Sequence, residues 1–391
     1  MAKNNTRPPR EKLVDISQGT QVKKLYKKKG RWVRVISIIL VVLLMIGGAV
    51  PIALYFGVGM VNYKTLDNIS IDKKVKVGGD DDGNISTSFT DSELLTHPKV
   101  LNIMLFGEDS HSADSYGRSD SMMLLSIDNL SKSVKITSFQ RDTYLYVPGH
   151  GYDKMTHSYP IGGPSLAIRT LEANFGIKVD RYIAVDFISF RKVINALGGI
   201  DMELTQDEID YINYQMYKNH QTKQRNLIKD SPGIVHLNGL QALWYSRNRG
   251  LDTSEDGNEV GFDGDDWDRT SRQRKLIDTL FKSLKKASWD KIIQIATDVG
   301  PLVTTNLKKD EITGLLTRAL SYLNYDMKKY NIPQKGLWSY YIDESAGSCI
   351  QIDDMEKCRK KLVNFVFGNA LDSKTSSSSS SSKSSSSSKS E

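Results

Sequence analysis

The segment "RYIAVDFISFRKVINALGGIDMEL", Arg181–Leu204, decides the fold class. "RYIAVD" reads as a strand, "FISFRKVINAL" as a helix stopped by Gly198-Gly199, and "IDMEL" as a further strand. Upstream, "VLNIMLF" (100–106) and "SMMLLSI" (121–127) read as buried strands, and "SVKITSF" (133–139) as an alternating one. "GPSLAIRTLEANFG" (163–176) reads as an amphipathic helix ending at Gly176, and "HLNGLQALWYSR" (236–247) as a further helix candidate. Helical patterns also occupy Trp289–Asp298, Asp310–Leu323 and Asp353–Phe367. Strands interleaved with helices predict an α/β fold, a three-layer α/β/α sandwich around a central mixed sheet, over residues 98–371. No internal repeat is visible.

The chain has 391 residues and a formal charge of +7, which first suggests a nucleic-acid binder. The position of the charge argues against one. Residues 1–34 hold eleven Lys/Arg against Glu11 and Asp15, so the tail carries +9 and everything after Arg34 about −2. That basic tail meets an apolar run over 35–61, with no charged residue between Arg34 and Lys64. A stretch of this length spans a bilayer as one helix, and it is too long for a cleaved signal peptide. The flanking positive charge predicts a cytoplasmic N-terminus, with all later residues outside the membrane. Residues 62–97 are polar and read as a linker, and the Ser/Lys-rich end, 372–391, as a disordered tail.

The chemistry gathers where apolar elements end. "NIMLFGED" delivers Asp109 into a loop, "GRSD" sets Arg118 and Asp120 before a strand, and "FQRD" sets Arg141 and Asp142 after one. "YSRNRG" brings Arg247 and Arg249 to a helix end. In "GDDWDRTSRQRKLIDTLF" (264–281), a helix to about Lys286, Leu276, Ile277, Leu280 and Leu284 make an apolar stripe. Arg269 and Gln273 fall on that same stripe at its N-terminal end. Each Arg-Asp neighbour alone is an ordinary surface ion pair. Together they suit a polyanion: several guanidiniums can hold a diphosphate in forked geometry, and two carboxylates can hold one Mg²⁺ on the same phosphates. The acid-rich loop 251–268 fits either a solvated lid or a loose calcium-loop pattern at Asp252, Ser254, Asp256, Gly257 and Asp263. Cys349 and Cys358, the only cysteines, fit either a disulfide closing a small loop or two unpaired thiols.

The motifs "NIMLFGED", "GRSDSMMLLSID", "SFQRDTYLYVPG", "KMTHSYPIGG", "VDFISFRKVINALGGI", "HLNGLQALWYSRNR" and "DRTSRQRKLI" occur in the order seen in LytR-CpsA-Psr proteins, which the chain resembles over about Leu101–Lys286. The resemblance implies a membrane-anchored phosphotransferase that moves a glycopolymer (teichoic acid, capsule or another wall polysaccharide) from a polyprenyl diphosphate carrier to peptidoglycan. By similarity, Asp109 and Asp120 would coordinate Mg²⁺, with Mn²⁺ as a substitute. Arg118, Arg141, Arg247, Arg249, Arg269 and Gln273 would bind the diphosphate, and Asp266, ahead of Asp268, would deprotonate the acceptor. The polyprenyl chain would lie in an apolar groove between sheet and helices. Two departures stand out: "WDR" replaces the commoner "GR", and residues 207–230 form a polar, insertion-like stretch. A non-catalytic sensor of prenyl-linked intermediates and a polyprenyl diphosphate hydrolase are the rival functions.

Overall fold

The computed structural model describes residues 61–368, apart from 72, 80–84, 110–115, 224–225, 251, 254–258 and 261–263. At its centre lies a seven-stranded mixed sheet. Its strands are β1 (Asn62–Tyr63), β2 (Val100–Glu108), β3 (Ser119–Asp128), β4 (Ser133–Phe139), β5 (Arg181–Asp186), β6 (Val303–Thr305) and β7 (Asp326–Ile332). They run in the spatial order β1-β6-β5-β2-β3-β4-β7. The β2–β3 and β3–β4 pairs are antiparallel, whereas β5 joins β2 and β7 joins β4 in parallel.

Successive strand residues point to opposite faces, and here the two faces have different fates. Met104, Phe106, Met122, Leu124, Tyr182 and Ala184 turn to the main core. There they meet α1 (Met155–Phe175) and the C-terminal helix Met355–Val366, through Ile168, Leu171, Phe175, Leu362 and Val366. Their neighbours Leu105, Gly107, Ser121, Met123, Ile183 and Val185 turn the other way and line a cavity. Over that cavity lie α2 (Phe187–Leu197), α3 (Gln206–Lys218), α4 (Gly239–Arg247) and α5 (Asp266–Lys286). A second core of Ile194, Ile200, Ile209, Ile212, Val235, Leu237 and Leu276 binds these helices together.

Several sequence expectations change. "SVKITSF" is buried at all seven positions instead of alternating. Its Lys135 is buried because Asp128 Oδ2 and the Val366 carbonyl each accept from Nζ at 2.8 Å. The helix expected from Gly163 begins at Met155 and kinks at Gly162-Gly163, and it is buried on most sides, not amphipathic. Gly163 has φ 59°, and a Cβ there would overlap the Tyr116 ring. "IDMEL" is a strand, but it pairs with Gly233–Leu237 outside the central sheet. The insertion-like stretch 207–230 supplies α3, whose Ile209, Ile212 and Met216 belong to the second core. Residues 62–97, read as a linker, contribute β1 and a hairpin, Lys76–Gly79 with Ile85–Thr87. The pattern at Asp310–Leu323 breaks into two helices, Lys309–Thr317 and Ala319–Leu323.

The apolar run 35–61 apart from Val61, the basic tail and the Ser/Lys-rich end lie outside the described residues. Among the described residues, no helix is long and apolar enough to cross a membrane. Cys349 and Cys358 are free and buried, so no disulfide joins them. The Cys349 thiol donates to the Gly347 carbonyl at 3.3 Å within its own hairpin, whereas Cys358 packs in the main core.

Candidate active site

Three elements deliver the charged side chains to one place. Asp120 sits at the start of β3, Arg141 follows β4, and α5 begins with Asp266 and Arg269. Asp265 caps α5, accepting from Trp267 N at 2.8 Å and Asp268 N at 3.1 Å. Asp268 closes the capping box by accepting from Asp265 N at 3.2 Å. Of the two acids considered as a base, Asp268 is therefore exposed and tied to the cap, while Asp266 enters the cluster.

Arg141 Nη1 donates to Asp120 Oδ1 at 2.8 Å, and its Nε lies 3.5 Å from Asp266 Oδ1. Arg269 Nη2 contacts Asp266 Oδ1 at 2.8 Å and donates to Oδ2 at 3.0 Å. Arg249 approaches both acids, Asp120 at 3.6 Å and Asp266 at 3.8 Å. Arg269 is only 1% exposed, so its charge acts in a largely dry setting. Gln140 Nε2 donates to Thr270 Oγ1 at 3.0 Å, tying the end of β4 to the first turns of α5. Arg272, in the same motif as Arg269, turns away to Glu208 on α3 at 3.1 Å and to the Asn248 carbonyl at 3.1 Å. It thereby fixes the turn between Arg247 and Arg249.

The two acids titrate in opposite directions. Burial lifts the Asp266 carboxyl above the ordinary carboxylate range; Arg269, Arg141 and Arg249 offset only part of that rise, and Asp142 adds to it. Burial also opposes ionisation of Asp120, but Arg269, Arg141 and Arg249 outweigh it and hold that carboxyl below the ordinary range. Burial brings the Arg269 guanidinium down to about 10. Within one cluster, Asp266 is thus the carboxyl that more readily holds a proton and Asp120 the one held ionised.

The cluster stands at one end of a cavity of about 570 Å³. Along α5 the cavity meets Arg269, then Gln273, then Leu276, Ile277 and Leu280, a passage of about 16 Å at the usual helical rise. Arg247 joins the lining from the end of α4, its guanidinium 4.4 Å from the Phe187 ring centre and 5.5 Å from that of Trp244. Gln273 Oε1 is buried without a partner, as is Arg269 Nε, which leaves polar atoms here for a ligand to satisfy.

The other expected residues stand nearby. Asp109 and Arg118 close the ends of β2 and β3, where Asp109 N donates to the Arg118 carbonyl at 2.9 Å. Among the described residues, the ion pairs around Asp120 and Asp266 come from Arg141, Arg249 and Arg269 rather than Arg118. No group of three or more His, Cys, Asp or Glu among them could hold a metal by itself. Mg²⁺ bound chiefly by phosphate oxygens asks for only one or two carboxylates. On Asp120 the guanidinium contacts fall on Oδ1, which leaves Oδ2 for such a cation.

Sequence reasoning missed the apolar lining from α2 and α4, chiefly Phe187, Phe190, Leu243 and Trp244. It also missed Trp267, which stacks on Trp338 at 4.8 Å between ring centres. The stripe running from Gln273 into Leu276, Ile277 and Leu280 was the available signal, and it reads equally well as core.

An α/β sandwich whose cavity passes from a guanidinium cluster to an apolar channel is the architecture that fold and site define. The chain belongs to the LytR_cpsA_psr family, which it matches over residues 61–361. The polyisoprenyl-teichoic acid–peptidoglycan teichoic acid transferase TagU of Oceanobacillus iheyensis is 29% identical over 339 residues, 82% of this chain and 93% of TagU. TagT bound to LIIa-WTA superposes with a TM-score of 0.54 at 23% identity, over 69% of this chain and 91% of TagT. The LytR-CPS2A-psr family protein YwtF (TagT) with bound octaprenyl pyrophosphate lipid gives 0.50 at 22% identity, with the same coverage. At these identities the structural likeness is one of fold.

Proposed function

We propose that this protein is a membrane-anchored phosphotransferase that moves a glycopolymer from a polyprenyl diphosphate carrier to peptidoglycan. One observation carries the reading: a single cavity joins the apolar passage of Leu276, Ile277 and Leu280 to Arg247, Arg249 and Arg269. An isoprenoid attached to a diphosphate has that same division between chain and head. The relatives support the substrate class, since TagU is named for teichoic acid transfer to peptidoglycan and YwtF (TagT) carries a prenyl pyrophosphate.

In this reading Arg141, Arg247, Arg249 and Arg269, with Arg118 and Gln273 at the margins, orient the diphosphate and stabilise the charge that builds on it. Asp266 takes the proton of the acceptor hydroxyl, and its raised pKa makes it a stronger proton acceptor than an ordinary carboxylate. The hydroxyl oxygen attacks the sugar-linked phosphorus, the bond to the bridging oxygen breaks, and polyprenyl monophosphate leaves. Asp109 and Asp120 would hold Mg²⁺, or Mn²⁺ in its place, which when bound neutralises diphosphate charge. The apolar run at 35–61 keeps the enzyme at the membrane that holds its lipid substrate, with the N-terminus cytoplasmic and the catalytic domain outside.

The test incubates the full-length protein with Mg²⁺, a synthetic prenyl-diphosphate oligosaccharide and peptidoglycan oligomers, and seeks the phosphodiester product by mass spectrometry. Arg141→Ala and Arg247→Ala are each expected to abolish turnover while the domain stays folded. Near-normal activity in both variants sinks the site assignment. Sugar phosphate released to water alone replaces the transferase reading with a hydrolase, and tight binding without turnover replaces it with a sensor.

A further inference from the structure

The first turn of α5 holds a residue that the proposed chemistry does not use. Trp267 lies between Asp266 and Asp268, and its ring stacks on Trp338 with 4.8 Å between centres and 24° between planes. Trp338 in turn meets Tyr340 edge-on at 5.1 Å. Both belong to the strand Trp338–Asp343, which pairs with Gly347–Ile352. Residues two apart on a strand share a face, so Trp338, Tyr340 and Ile342 form one row. The row becomes more exposed with distance from the site: Tyr340 is 67% and Ile342 80% exposed.

We propose that Trp267, Trp338 and Tyr340 form a platform on which sugar rings of the acceptor, the glycan strand of peptidoglycan, stack. The assignment rests on the transferase reading above and adds to it where the acceptor lies. Three observations favour this occupant. The platform is continuous with the helix turn that carries Asp266, the group proposed to take the acceptor proton. The lipid passage runs the opposite way along α5, toward Leu280, so the apolar end of the donor has its own place. The row also offers amphipathic rings, with the exposed Tyr340 carrying a hydroxyl at its edge, which suits a pyranose better than a prenyl chain. Pyranose C–H groups pack on aromatic faces while the hydroxyls at the ring edge stay hydrogen-bonded. Apolar side chains alone would line a lipid site.

Full-length protein in detergent is titrated with soluble peptidoglycan glycan oligomers, and tryptophan fluorescence reports binding. A short prenyl diphosphate is titrated separately. Tyr340→Ala is expected to weaken oligomer binding about threefold to tenfold, the usual worth of one aromatic contact, with prenyl diphosphate binding unchanged. Tyr340→Phe keeps the ring and should keep the affinity. With turnover as readout, Tyr340→Ala should raise KM for the oligomer and leave kcat and the donor KM near their wild-type values. Equal oligomer affinity in wild type and Tyr340→Ala overturns the platform, as does a wild type that fails to bind oligomers. A rise in the donor KM alone assigns the surface to the incoming glycopolymer and overturns the acceptor assignment. Oligomer binding is read without turnover, so failure of the transferase reading remains distinguishable from failure of the platform.

Discussion

Replacing Asp266 by Asn removes a proton acceptor while keeping the size and most of the contacts of the side chain. A positioned general base contributes about 10²–10⁴-fold to rate, or about 3–5 kcal/mol on the barrier. Asp266→Asn is therefore expected to lower kcat by that range in the transfer assay and to change donor affinity little. Its effect on stability has the opposite sense. The folded-state carboxyl titrates above its unfolded value, so between the two values the native state binds more protons and stability falls as pH rises. Above that window the ionised carboxylate remains a net cost, which Asn removes. Asp266→Asn should thus keep or raise the urea midpoint at pH 7. Asp120 behaves in reverse: its carboxyl is held low, so its stabilisation is present above the ordinary value and lost as pH falls through the lowered one. Asp120→Asn should lower the midpoint at pH 7 as well as activity. In the wild type, kcat/KM should climb as pH rises through the Asp266 transition, a limb absent from Asp266→Asn. Retention of that limb, or a kcat within threefold of wild type, refutes the base assignment.

Three further substitutions probe the frame around the site. Leu280→Arg places a charge in the apolar passage and should weaken binding of a long prenyl diphosphate at least about tenfold, sparing a short-chain analogue, by competitive displacement of a labelled lipid. Arg272→Ala strands Glu208 and releases the Asn248 carbonyl, so chemical denaturation should show a loss of roughly 3 kcal/mol. Gly163→Ala forces a side chain into positive φ and against the Tyr116 ring, which should cost about 2–3 kcal/mol by the same measurement.

The strands of the central sheet were legible because β2, β3 and β5 carry unbroken apolar runs, as strands covered on both sides do. The cluster was legible in outline because Asp120, Arg141, Arg249, Asp266 and Arg269 sit where such elements end. What remained hidden depends on contacts distant in sequence. β4 shows polar residues at alternate positions, and the burial of Lys135 among them depends on Asp128 and on the distant Val366 carbonyl. α3 looks like a polar insertion because Ile209, Ile212 and Met216 are few among charged neighbours, yet those three face the second core. The partner of "IDMEL" could not be read, since any strand with that alternation pairs equally well in a sheet or a hairpin. Which of Asp266 and Asp268 enters the charged cluster turns on a capping hydrogen bond, which local spacing permits to both. Cavity lining and core share one residue vocabulary, so Phe187, Phe190 and Trp244 carried no distinguishing mark.

The division of the central strands between two faces has a consequence for how such a protein can diversify. Leu105, Met123, Ile183 and Val185 line the cavity, while Met104, Leu124, Tyr182 and Ala184 hold the core. Each set lies one residue from the other along the same strands. Substitutions in the first set can retune the fit of the lipid proposed to lie there with little disturbance to folding, so the two traits can drift independently. A single-residue deletion within β2 would exchange the sets beyond it and place Leu105 where the core requires Met104 or Phe106. Lineages of this architecture should therefore accumulate point changes on the cavity floor and tolerate length changes only in the loops that join the strands.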